Sequence, residues 1–101
     1  MAFKYPSVYK NIAAVTVTTL ITKRSGISGD IDSITITNHD DSDSNTIRLH
    51  LYDGTNTYVI AETVIPPRVS LLLTENIQFN AGVYDLRMAT TSDADITVII
   101  K

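Results

Sequence analysis

The feature that most constrains this chain is the period of its hydrophobic pattern. Past the first dozen residues, apolar and polar side chains alternate one by one in short runs rich in Val, Ile and Thr. No stretch repeats at the three- and four-residue spacing of an amphipathic helix. Successive side chains on a strand point to opposite faces, so each run has one apolar and one polar side. Such a chain buries itself by laying sheet on sheet, or by closing a sheet into a barrel.

Seven runs are predicted as strands: 13–22, 31–37, 46–52, 57–63, 69–74, 83–89 and 95–101. The clearest is 46–52, with Ile47, Leu49 and Leu51 inward and Arg48, His50 and Tyr52 outward. Asp53-Gly54 follows, a strong hairpin signal, so 57–63 is expected to pair antiparallel with it. Pro66-Pro67 ends that run, because neither residue donates to a ladder. Leu71-Leu72-Leu73 blurs the period, which fits either burial on both faces or an apolar patch turned to a partner. The spacing of the runs points to an all-β antiparallel β-sandwich of about seven strands, immunoglobulin-like or jelly-roll in type, with a small barrel as the alternative.

Residues 1–11 fall outside the alternation and read as an irregular N-terminal arm, leaving 12–101 as a single domain. The arm carries Phe3, Tyr5 and Tyr9, residue types that bury much area at little rotamer cost and so serve as interface anchors. Its charges and Pro6 break up the continuous apolar stretch of an export signal. The most apolar segment, 12–21, is about half the ~20 residues that a membrane-spanning helix needs.

Composition narrows function by exclusion. At 101 residues, roughly 65% of the unfolded chain's surface can be buried, enough for one core without a separately walled deep cleft. There is no cysteine, hence no disulfide, thiolate zinc site or cysteine nucleophile. A net charge of −3 provides no positive field for a phosphate backbone, so nucleic acid is not the expected partner. Phosphate-binding glycine loops and the HExxH zinc motif are missing, and no cofactor is expected.

Asp41-x-Asp43-x-Asn45 matches the opening of a calcium loop, but Thr46 replaces the required glycine and Tyr52 the closing bidentate glutamate. The stretch 38–45 is expected to be a hydrated loop without a metal. Asp30 with Asp32, and Asp93 with Asp95, sit where turns need side-chain acceptors. Arg48, His50 and Tyr52 project in a row from one strand face and form a contact surface, with His50 facing solvent and no nucleophile beside it. The chain is therefore expected not to be an enzyme.

Four segments, IDSITITN, TIRLHLYDGTNTYVI, VIPPRVSLLL and GVYDLRMATTSDADITVII, together resemble the small all-β accessory proteins of tailed-bacteriophage virions. The resemblance is closest to those of phages infecting marine cyanobacteria, and it spans about seventy residues. It implies a non-enzymatic virion component that decorates or cements the capsid, or sits at the neck or tail. The implied partners are the major capsid protein or other virion proteins, in a homo-oligomeric assembly made in the host bacterial cytoplasm. Phe3, Tyr5 and Tyr9, with Arg48, His50 and Tyr52, are the expected interface residues. A second reading is a carbohydrate-binding sandwich using Tyr52, Tyr58 and the acidic loop.

Overall fold

The computed structural model describes residues 3–4, 7–74 and 77–101. It is all-β, and the described residues form eleven strands: β1 (Phe3–Lys4), β2 (Val8–Ile12), β3 (Val17–Ile21), β4 (Ile27–Ile31), β5 (Ile34–Asn38), β6 (Asn45–Tyr52), β7 (Thr57–Ile65), β8 (Val69–Leu73), β9 (Ile77–Phe79), β10 (Asp85–Thr90) and β11 (Ile96–Ile100). Each of the seven expected runs contains a strand, but the first starts only at Val17 and the sixth only at Asp85, and the described strands outnumber the seven expected. One four-stranded sheet runs β2-β11-β5-β8 and a second runs β3-β10-β6-β7, each antiparallel throughout. A small third sheet runs β1-β4-β9.

Alternation places the core. In β5, β10 and β11 every second residue is buried. Ile34 and Ile36 of the first sheet meet Ile100 and Val98 as cross-strand neighbours, while Leu49 of the second meets Met88. These side chains join Ile12, Leu20, Ile21, Ile47, Ile65, Leu86 and Ile96 in one continuous cluster contributed by both large sheets.

The irregular arm is corrected. Val8–Ile12 is a regular edge strand, antiparallel to β11, and Phe3–Lys4 pairs in parallel with β4. Its alternation is hidden because an edge strand in this position turns only Val8 and Ile12 toward the core and leaves Tyr9, Lys10 and Asn11 exposed. The stretch 23–30, which lies between two of the expected runs, is likewise half strand. Gly29 in β4 faces Phe79 of β9 so closely that an added Cβ would lie 2.0 Å from the Phe79 carbonyl oxygen, so the glycine permits this pairing.

The hairpin at 53–56 forms as expected. The Asp53 amide donates to the Asn56 carbonyl (3.2 Å), and the Asp53 carboxylate accepts from the amides of Thr55 and Asn56 (2.8 and 2.7 Å). Gly54 takes φ 101°, a conformation that a side chain disfavours.

At the opposite end the chain passes repeatedly from one large sheet to the other, and three buried polar side chains hold those passages. Asn38 donates to the carbonyls of Asp43 and Ile65 (2.8 and 2.9 Å) and accepts from the Asp40 amide. Asn45 donates to the carbonyls of Ser92 and Ala94 (3.2 Å each) and accepts from the Thr91 amide. Thr90 bonds the carbonyls of Ala14 and Thr16. Removing a side chain of this kind strands buried backbone groups, at a cost of about 1–3 kcal/mol. Chemical denaturation should accordingly show Asn45→Ala less stable by about that amount, whereas Asn11→Ala, on the exposed face of β2, should stay within about 0.5 kcal/mol of the parent.

Candidate interaction surface

The two large sheets meet along two margins. β2 meets β3 at one margin, and β7 meets β8 at the other. Between them an apolar groove of about 500 Å³ opens, lined by Leu49, Ile60, Ala61, Leu72, Leu73, Thr74 and Ile77. Leu71 and Leu73 turn inward, while Leu72 stands on the outer face at 58% exposure, so the leucine run carries an outward apolar patch. Across the groove β7 exposes Tyr58, Val59, Ile60 and Val64, and β8 adds Val69. Six of the ten exposed large hydrophobic residues among those described thus lie on these two strands, which concentrates apolar surface where a partner can cover it.

The bulge that shapes this margin lies at Ile60. Leu49 pairs with Ala61 and His50 with Val59, so β7 carries one extra residue here, and that residue lines the groove. Tyr58, at the far end of β7, packs edge-to-face on Tyr84 with ring centroids 5.9 Å apart.

The row Arg48, His50 and Tyr52 does share the outer face of β6, but His50 is not solvent-facing. It is only 6% exposed. Its cross-strand neighbours on that face are Arg87 of β10 and Val59 of β7, and the two cover the imidazole from both sides. The Arg87 guanidinium lies 4.0 Å from the centre of the Tyr52 ring, a cation–π contact, and 3.7 Å from the Asp85 carboxylate. Arg48 pairs with Glu62 at 3.2 Å, an exposed contact worth about 0.2–1 kcal/mol. His50 Nδ1 and Arg87 Nε are buried and find no hydrogen-bond partner among the described residues. Burial chiefly, then the charges of Arg87 and Arg48, hold the His50 pKa below its ordinary value.

Of the three aromatic anchors expected on the arm, Tyr9 is 65% exposed on the outer face of β2 beside Ile99 of β11. Phe3 is placed through its backbone in β1, and Tyr5 lies outside the described residues. Tyr9 is therefore not brought together with Arg48, His50 and Tyr52, since β2 and β6 belong to different sheets.

The acidic loop folds on itself. Asp40 accepts from the amides of Ser42 and Asp43 (3.0 and 2.8 Å), which lower its pKa. Asp41 pairs with Arg68 at 3.1 Å, and Asn45 points inward to its own carbonyl partners, so the three calcium-loop positions diverge. Tyr52 and Tyr58 sit beside the 53–56 turn, at the other end of β6 from that loop. The residue set of the carbohydrate reading does not converge.

One arrangement went unnoticed in the sequence. His39 Nε2 lies 2.7 Å from Thr97 Oγ1, and His39 Nδ1 lies 3.4 Å from Asp95. The order hydroxyl, imidazole, carboxylate is that of an activated nucleophile. Here, however, Thr97 shares its hydroxyl with Asn11 and lies on β11, whose backbone is laddered to strands on both sides and spares no amides for an oxyanion.

Compared with protein-family models and with curated proteins, the sequence matches neither.

The depressed titration of His50 predicts a pH dependence whose sign is fixed. Unfolded His50 takes up its proton near pH 6.5, and the folded state does so only at lower pH. Between the two values the unfolded state binds more protons, so stability falls as pH drops below about 6.5 and levels off below the folded pKa. Asp40 and Asp53, both depressed by backbone amides, add a later loss below about pH 3.8. Denaturation midpoints measured from pH 8 to pH 3 should show both steps, and His50→Gln should remove the first alone.

Proposed function

We propose that this chain is a non-enzymatic structural subunit of a tailed-phage virion, a capsid decoration or cement protein that ties neighbouring subunits together by burying apolar area at their junctions. The observation that carries the reading is the apolar margin of β7 and β8 with the groove between them. A monomer gains nothing from leaving Val59, Ile60, Val64 and Leu72 in water, and a joining subunit covers them. Among the described residues no other feature competes with it as a site. The hydroxyl–imidazole–carboxylate row lies on an open sheet face, and the acidic loop is internally satisfied.

We infer further that the architecture is a β-sandwich of the jelly-roll type. The strand orders β2-β11-β5-β8 and β3-β10-β6-β7 support it, because they interleave the chain between two sheets as a doubled Greek key does. Jelly rolls build capsid proteins and lectins alike, so this is analogy at the level of the fold, and the apolar margin supports the first of those uses.

Quantitative mass spectrometry of purified virions from a phage carrying this gene tests the proposal. A copy number commensurate with the capsid lattice is expected. A few copies per particle would move the protein to the neck or tail, and absence from particles overturns the reading. Leu72→Asp should fold normally, since its side chain stands in solvent, but should reduce incorporation at least tenfold.

A further inference from the structure

Free edges of sheets are ordinarily guarded by lysine, proline or an exposed charge. β7 is the free edge of the second sheet, and Thr57–Ile65 contains neither lysine nor proline. Its one charge, Glu62, is turned back onto Arg48 of β6, away from the open side. The edge strand β2 carries the exposed Lys10; the edge strands β3 and β8 also lack lysine and proline but are five residues each, against nine in β7.

The direction of the unpaired backbone groups follows from β6. The Thr46 amide donates to Thr91 Oγ1, and the Thr46 carbonyl accepts from the Thr91 hydroxyl. Thr46 thus faces the β10 side, and Ile47, the next residue, faces its partner Thr63 in β7. Alternation along β7 then turns the amides and carbonyls of Glu62 and Val64 outward, to the open side.

We propose that β7 pairs with β7 of a second copy, antiparallel about a twofold axis at Thr63, so that the two second sheets become one continuous sheet. A twofold contact must be self-complementary, and this register is. Glu62 of each copy faces Val64 of the other, so the outward backbone groups of both residues are satisfied and no charge meets its like. A centre at Glu62 would oppose the two carboxylates, which is unfavourable. A centre at Val64 would set Glu62 against Pro66, which has no amide to give. A centre at Ala61 would run the pairing through the bulge at Ile60. In its purpose the proposal rests on the joining role above. In its geometry it rests on β7 alone, so it is tested on the isolated chain and the two can fail separately.

The absence of cysteine makes a clean test possible. At the axis, Thr63 faces Thr63 as a pair without mutual backbone bonds, with Cα atoms about 4.5 Å apart, inside the range a disulfide spans. Thr63→Cys under mild oxidation should therefore form a covalent dimer at least tenfold faster than Val69→Cys, whose residue is exposed on β8. Native mass spectrometry should show a concentration-dependent dimer of the parent chain. Val64→Lys should abolish that dimer while leaving thermal unfolding of the monomer unchanged, because Val64 is 57% exposed on the outer face. A chain that stays monomeric at every concentration, or a Thr63→Cys variant that cross-links no faster than the β8 control, overturns the proposal. So does a chain that is monomeric alone and has its β7 amides protected from exchange only on particles, since the occupant would then be another virion protein.

Discussion

Two buried asparagines stitch the sheets together where the chain crosses between them, and most of the architecture hangs on this. Asn38 ends β5 in the first sheet and reaches the Ile65 carbonyl at the end of β7 in the second. Asn45 opens β6 in the second sheet and holds Ser92 and Ala94, on the passage that leads from β10 back to β11 in the first. Loops between layers carry backbone groups that pair with neither sheet, and burying such groups unpaired is costly. A carboxamide both donates and accepts, so one side chain can fix a crossing from both sides. The polar stretch between the two asparagines is thereby free to be acidic and hydrated while its ends are locked.

That constraint explains why the apolar surface collects on one side. With the loop end fixed, the margin formed by β7 and β8 keeps an apolar groove between the two layers. Closing that groove internally would require larger inward side chains, but β7 offers Ala61 there and β8 supplies leucines that are only partly buried. A domain of this length has little core to spare and is stabilised by anything that binds its folded form. The open margin and the modest core are therefore two sides of one design: area left unburied within the subunit is available between subunits.

How much of this is legible in the sequence depends on how local the cause is. Strands with a strict period, such as Ile34–Asn38 and Ile96–Ile100, announce themselves because every second residue meets the core. β2 does not, because at an edge only Val8 and Ile12 do so, and β9 is three residues long, too short to show a period. For His50 the direction follows from alternation but the burial does not. The imidazole is covered by Arg87 and Val59, which arrive from two other strands, and by a bulge that shifts β7 by one residue. The leucine run signals an apolar patch; the groove beside it exists only once β7 and β8 are placed at the same margin.

An apolar edge is a hazard as well as an interface, since an unpaired strand templates indiscriminate pairing. β7 limits that hazard by restricting register rather than by repelling partners. The bulge at Ile60 interrupts it on one side, and Pro66-Pro67 stops it on the other, leaving only a short stretch able to extend a ladder. Within that stretch Glu62 penalises pairings that bring two carboxylates together, while its bond to Arg48 keeps it from blocking the edge outright. Lysines along β7 would give a safer monomer and would close off the proposed joint. The sequence instead keeps the edge apolar and confines the ways it can be met.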